Sequence, residues 1–82
     1  MKEKYKNLSG TSVVFAYVIG DDYIAIEFID GAAYLYDYKS GGRINIEEMK
    51  SLSKQGKGLA TFINKTKIKY ARILKSPEKD KN

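Results

Sequence analysis

The first half of the chain alternates between short apolar runs and turn residues, a pattern that predicts an antiparallel sheet. Runs rich in β-branched and aromatic residues cover 12–19, 23–29 and 32–38. The first two are separated by Gly20-Asp21-Asp22 and the last two by Asp30-Gly31. Asp-Gly is the favoured pair for a two-residue type I′ hairpin turn. We therefore predict a three-stranded meander with a tight second turn.

A two-residue turn at 30–31 also predicts which side chains share a face, because successive side chains in a strand point to opposite faces. With Ile29 placed opposite Ala32, one face is the predicted core and carries Ile24, Ile26, Phe28, Ala33 and Leu35. The opposite face carries Tyr23, Ala25, Glu27, Tyr34, Tyr36 and Tyr38.

The second half of the chain has helical spacing. Ile46, Met49 and Leu52 predict a short helix over about 46–54, with Asn45 and Glu48 placed as a capping box. A second helical stretch is predicted near 59–65, after the glycines at 56 and 58. Residues 66–75 fit a strand, a helix or an extended arm. The predicted fold class is α+β, with a small antiparallel sheet of three or four strands followed by one or two short helices.

The 82-residue length predicts one domain. We place it at 11–75, after a flexible basic arm at 1–10 and before a disordered charged tail at 76–82. The N-terminus lacks the apolar run of a signal peptide. The longest apolar stretch, at 13–19, is too short to cross a bilayer. A cytoplasmic location with no membrane association is expected.

Composition removes several classes of chemistry. The chain has no cysteine and no histidine, which excludes disulfides, thiolate or imidazole catalysis, and zinc sites built from these residues. Most carboxylates are explained by turns and a helix N-terminus, Glu27 fits a cross-strand partner, and Asp37 marks the end of the core face or pairs with Arg43. No pair of carboxylates is predicted in a pocket. We therefore expect a protein that is not an enzyme and that has no cofactor and no metal.

The net charge of +5 is concentrated at the two ends of the chain. Residues 65–82 hold seven basic and two acidic side chains, whereas residues 11–64 hold five basic and seven acidic ones. Such asymmetry fits an anionic partner, above all nucleic acid. The alternative, of equal weight, is that lysine-rich ends keep a small protein soluble.

The candidate binding residues combine aromatic rings with basic side chains. Tyr34, Tyr36 and Tyr38 would lie about 7 Å apart on one sheet face, where rings can stack unpaired bases. The phosphate contacts would come from Lys54, Lys57, Lys65, Lys67, Lys69 and Arg72. In the alternative interpretation the tyrosines cover a helix, and the lysines of the last segment protect a sheet edge.

The order of these features resembles the KTSC domain, which occurs at the C-terminus of some lysyl-tRNA synthetases and as a stand-alone small bacterial protein. The similar elements are Ser12, the run 23–29, Gly31-Ala32-Ala33-Tyr34-Leu35-Tyr36, the helix near 46–54, Gly58, Phe62, Asn64, Ile68 and Tyr70. The resemblance covers about residues 11–70. It implies a small α+β fold and, from the synthetase context, RNA binding.

Two functions are therefore carried forward. The first is a small non-enzymatic module that binds RNA or single-stranded nucleic acid through the tyrosine face and the basic C-terminal segment. The second is a protein-interaction or self-associating domain, such as a homodimer, with no nucleic-acid ligand.

Overall fold

A computed structural model describes residues 2–77 and shows a five-stranded antiparallel sheet with helices packed on one face. The strands are β1 Glu3–Lys4, β2 Val14–Ile19, β3 Tyr23–Phe28, β4 Ala33–Asp37 and β5 Arg72–Lys75. Their order in the sheet is the same as their order in the chain. Three helices separate β4 from β5, namely α1 Tyr38–Gly41, α2 Arg43–Gln55 and α3 Leu59–Thr66.

The predicted α+β class with an antiparallel sheet is confirmed, but the predicted number of strands was too low. The two additional strands are the short, exposed edge strands β1 and β5. The first edge is extended by Tyr5, whose N–H donates to the Phe15 carbonyl at 3.0 Å. The folded part therefore begins before the expected boundary at residue 11. The tail expected at 76–82 lies mostly outside the described residues.

The β3–β4 hairpin has a three-residue loop in place of the predicted two-residue turn. The Phe28 N–H donates to the Ala32 carbonyl at 2.8 Å, and the Gly31 N–H donates to the Phe28 carbonyl at 2.9 Å. Gly31 has a φ of 93°, so the loop is a type I turn followed by a left-handed glycine, the common three-residue hairpin connection. The Asp30 carboxylate accepts from the Ala32 N–H at 3.0 Å and stabilises this loop.

This extra loop residue shifts the register by one and reverses the faces of β4. Tyr36 lies opposite Ile24, Tyr34 opposite Ile26, and Leu35 opposite Ala25. Because one step of register exchanges the two faces of a strand, Tyr34 and Tyr36 join the isoleucines under the helices. The predicted face that grouped the tyrosines with Ala25 and Glu27 is therefore wrong.

The core lies between the sheet and the helices α2 and α3. Its members are almost fully buried and are contributed by the N-terminal segment, the sheet and both helices: Tyr5, Val14, Ile24, Ile26, Tyr36, Ile46, Met49 and Leu59. The Tyr5 hydroxyl accepts a hydrogen bond from the Leu59 N–H at 3.3 Å. This bond gives the first turn of α3 a partner for one of its free N–H groups.

The start of α2 and the position of the capping box differ from the predicted ones. α2 begins at Arg43, and Asn45 lies inside it, where its side-chain amide donates to the Gly41 carbonyl at 2.9 Å. The capping box is instead formed by Asp37 and Ser40 at the start of α1, with the Ser40 N–H donating to the Asp37 carboxylate at 2.8 Å. The predicted helix near 59–65 is confirmed as α3.

Within residues 2–77, no helix has the length and apolar character needed to cross a bilayer.

Candidate nucleic-acid interface

The three predicted stacking tyrosines do not form a row. Tyr36 is only 3% exposed and belongs to the core. Burial, followed by the neighbouring Tyr34 and Tyr70, raises the pKa of Tyr36 to about 12. Its ring faces the helices, so it has no free face for a base.

Tyr38 is the first residue of α1 and is part of a polar network with α2. Its hydroxyl donates to the Glu47 carboxylate at 2.6 Å. The Arg43 guanidinium and the Lys50 ammonium lie 5.7 and 5.6 Å from the centre of its ring. The hydrogen bond to Glu47 raises the pKa of the Tyr38 hydroxyl. Both the hydroxyl and the ring therefore already have intramolecular partners.

Lys50 connects this network to the β2–β3 turn, although its side chain is nearly buried. Its ammonium donates to Glu47 at 2.8 Å and to the Asp21 carbonyl at 2.8 Å. The hydrogen bond from Lys50, followed by the one from Tyr38, lowers the pKa of the Glu47 carboxyl. These contacts join the β2–β3 turn to α2, which is a structural role.

Tyr34 and Tyr70 form the one parallel aromatic stack among the described residues. Their ring centres are 4.8 Å apart with an interplanar angle of 18°. Tyr36 meets Tyr70 edge-on at 6.5 Å, and Phe28 lies 5.8 Å from Tyr34. Tyr70 is 45% exposed and covers one face of Tyr34. We call Phe28, Tyr34, Tyr36 and Tyr70 the aromatic cluster.

The stretch that leads to β5 is strongly basic. Residues 49–77 contain eight lysines and arginines and no acidic residue. Lys65 lies in the last turn of α3, and Lys67 ends that helix in a left-handed conformation with φ 49°. Lys65, Lys67, Lys69 and Arg72 are all exposed, and within residues 2–77 none of them forms an ion pair with a carboxylate. We call residues 65–72 the basic segment.

Lys54 and Lys57 lie apart from the basic segment. Lys54 is near the end of α2, and Lys57 is between the two left-handed glycines that separate α2 from α3. Lys57 precedes α3 and Lys65 is in its last turn, so these two lysines are about 12 Å apart along the helix axis, given a rise of about 1.5 Å per residue. The predicted phosphate-binding residues thus form two exposed groups at opposite ends of α3.

Sequence reasoning was wrong about two features of the surface. It treated Tyr70 only as an apolar anchor, although an aromatic residue inside the run Lys65-Thr66-Lys67-Ile68-Lys69-Tyr70 was a recognisable signal. It also gave the wrong β4 residues to the sheet face opposite the helices, which we call the open face: Ala25 and Glu27 lie there as predicted, but Tyr34 and Tyr36 do not. The side chains of the open face follow from the strand pairing and include Ala16, Val18, Ala25, Glu27, Ala33, Leu35 and Arg72.

Among residues 2–77, no group of three acidic side chains is placed to hold a metal ion. The chain matches no protein-family model, no curated protein and no solved structure. The resemblance to the KTSC domain therefore stays a prediction from the sequence, and the candidate interface depends on the geometry given above.

Proposed function

We propose that this domain is a small non-enzymatic module that binds RNA or single-stranded DNA through Tyr70 and the basic segment. The observation that supports it best is an exposed tyrosine, already stacked on Tyr34, within a run of basic side chains that have no acidic partner in residues 2–77. The similarity in motif order to the KTSC domain, with its synthetase context, favours RNA. A cytoplasmic location is part of the proposal.

The stack on Tyr34 prepares Tyr70 for a ligand, because it fixes the plane of the ring before binding. A base placed on the remaining face of Tyr70 would extend the stack, at about 1–3 kcal/mol per base. Lys67 and Lys69 precede Tyr70 in the sequence and Arg72 follows it at the start of β5, so phosphates next to that base have cationic partners. Such a site selects for single strands, since a base inside a duplex is stacked between its neighbours and has no free face.

The other predicted residues have supporting roles in this proposal. Tyr34 stacks on one side of the Tyr70 ring, and the ring of Tyr36 packs nearly at a right angle to it. Tyr38 makes no direct contact with the ligand, because its hydroxyl and ring are engaged with α2. Lys54 and Lys57 would contact phosphates only in strands long enough to follow α3.

The test is fluorescence anisotropy with a labelled ten-nucleotide oligouridine and its deoxythymidine counterpart over a series of salt concentrations. We expect log affinity to fall linearly with log salt, with a slope of about −0.7 per phosphate contacted. Tyr70→Ala should weaken binding about 5- to 150-fold with the slope unchanged, the equivalent of one lost stack. Replacing Lys65, Lys67 and Lys69 with alanine should reduce the slope by about 2.

Lys39→Ala is the matched control, because Lys39 is an exposed lysine in α1 outside the basic segment. It should change the affinity little. If neither oligonucleotide binds at low salt, or if Tyr70→Ala binds as well as the unmodified protein, the proposal fails.

A second candidate function is favoured by a different observation. The open face has small apolar side chains at Ala16, Val18, Ala25, Ala33 and Leu35, and the helices lie on the other side of the sheet. Apolar patches left open on a small domain often mark interaction sites. This surface supports a protein-interaction or self-association function, and of the residues named for the two candidates only Arg72 belongs to both.

A further inference from the structure

The open face is a shallow groove that runs along the strands. Two depressions, of about 280 and 490 Å³, adjoin along it. Both are lined by Val18, Ala25 and Leu74, so they form one continuous surface. Leu74 on β5 lines both depressions. The central part of the groove is apolar, and Tyr23 lies at the end that Asp22 and Asp37 line.

Basic residues flank the first depression on both edges of the sheet, whereas Asp22 and Asp37 line the second. Strand pairing produces one row that crosses all five strands, and it reads Lys4, Ala16, Glu27, Ala33 and Lys75. A second row ends at Arg72 on β5, and Lys2 precedes β1 on the same face. Glu27 is already neutralised by Lys2, whose ammonium is 2.7 Å from its carboxylate. The edges keep Lys4, Arg72 and Lys75 without an ion-pair partner among residues 2–77.

The distance between these two basic edges leaves room for one helix with several ångströms on each side. Five strands separated by about 4.8 Å place β1 and β5 about 19 Å apart. An α-helix with its side chains is about 10–12 Å wide. A helix lying on the alanine floor would leave several ångströms on each side, a distance that glutamate and lysine side chains span together. Its apolar stripe would cover the floor, and its acidic flanks would face the basic edges.

We propose that the open face binds an amphipathic helix with acidic flanks, supplied by another protein. The interaction does not depend on the nucleic-acid proposal, because its apolar floor is on the opposite side of the sheet from the aromatic cluster. The unpaired charges of Lys4, Arg72 and Lys75 favour an acidic segment of another protein as the occupant. The aromatic residue of this face, Tyr23, packs one side of its ring against Gly20.

The probe is a synthetic 14-residue peptide with leucine and alanine on one helical face and glutamate on the other, about 21 Å long when helical. It is titrated into the ¹⁵N-labelled protein while amide chemical shifts are followed. We expect saturable shifts at Ala25, Leu35 and Leu74. A peptide with lysine in place of glutamate should bind at least tenfold more weakly, and a scrambled peptide with the same composition should also lose affinity.

Two substitutions test the surface itself. Ala25→Glu puts a charge in the floor and should reduce affinity for the acidic peptide at least tenfold. Ile44→Glu is the control, because Ile44 is 85% exposed on α2 and should leave binding unchanged. If Ala25→Glu does not fold, the double variant Lys4→Glu with Lys75→Glu changes only exposed residues. It should weaken binding at least fivefold and reduce its salt dependence.

Several outcomes would overturn the inference. Equal affinity for the glutamate and lysine peptides would remove the role of the basic edges. Shifts confined to the helices would place the peptide elsewhere. Oligouridine shifting Ala25 and Leu35 would assign this face to nucleic acid. A dimer in sedimentation equilibrium that Ala25→Glu disrupts would assign it to a second copy of the chain.

Discussion

The two faces of the sheet differ in the size and burial of their side chains. The covered face holds large residues such as Ile24, Ile26 and Tyr36, which fill the space beneath α2 and α3. The open face holds alanines, a valine and a leucine from the same strands. Adjacent residues such as Leu35 and Tyr36 therefore belong to different environments. Large side chains on one face stabilise the fold, whereas small ones on the other leave an apolar surface that contributes little to the core.

The strongest test of this difference is a core truncation. Ile26 is fully buried, and Ile26→Ala should lower the free energy of unfolding by about 2–5 kcal/mol, because it removes buried methyl groups and leaves a cavity. Urea unfolding followed by circular dichroism measures this change. A loss below 1 kcal/mol, the size expected for a surface position, would mean that the helices do not pack on this face as described.

The pH dependence of stability tests the burial of Tyr36. Its pKa is raised from 10 to about 12, so the folded state holds this proton more tightly than the unfolded state. The contribution is complete below pH 10 and is lost as the pH rises towards 12. Relative to Tyr36→Phe, the protein should lose up to about 2 kcal/mol over this interval.

Urea unfolding at pH 9 and pH 11.5 measures that difference, and Tyr36→Phe cancels the contribution of the other titrating groups. Absorbance of tyrosinate gives an independent measurement, in which one tyrosine should ionise well above the exposed ones. Parallel pH profiles for the two proteins would show that Tyr36 is solvated, as in the predicted open row.

A truncation on the open face should have a smaller effect on stability. Leu35→Ala removes a half-buried side chain next to Tyr36 on β4, and we expect a loss of about 1 kcal/mol, roughly half of that for full burial of a leucine. The same variant should lower the affinity for the acidic peptide without changing the affinity for oligouridine. A loss as large as that of Ile26→Ala would mean that the open face is part of the core.

The smallest effect is expected from shortening the β3–β4 loop. Deleting Ile29, which is 64% exposed, leaves Asp30-Gly31 as a two-residue turn and still places Phe28 opposite Ala32. The faces of β4 are therefore retained, and the cost should stay below about 1 kcal/mol, because Asp-Gly suits a type I′ turn. Amide spectra that keep the cross-strand contacts of Tyr34 and Tyr36 would support this, and a molten spectrum would contradict it.

The local pattern of the sequence predicted three strands and both longer helices, because each has a periodic apolar stripe and a glycine or aspartate boundary. It did not predict β1, and it left residues 66–75 open among a strand, a helix and an extended arm, so β5 was only one of three alternatives. Glu3-Lys4 and Arg72-Ile73-Leu74-Lys75 have little local strand signal, and they become strands because β2 and β4 offer unpaired edges. The strand conformation of β1 and β5 therefore depends on tertiary contacts more than on local sequence preference.

The candidate site was predicted less well than the fold, for one physical reason. Asp30-Gly31 suits both a two-residue turn and the end of a three-residue turn, and the difference of one residue moves Tyr34 and Tyr36 to the other face. The exposed lysines and Arg72 were placed correctly at the surface, since lysine and arginine are seldom buried. Tyr70 acquired its position only through stacking on a residue 36 positions earlier in the chain.

The position of β5 at the edge has a consequence for hydrogen exchange. All four of its residues are exposed, and it is held by β4 and by the Tyr34–Tyr70 stack. Local opening should therefore release β5 at a free energy far below that of global unfolding. Its amides should exchange faster than those of β3, and each opening would uncover Tyr34. A single strand that trapped this opened state would speed the exchange of the β5 amides and find two tyrosine rings in place of one.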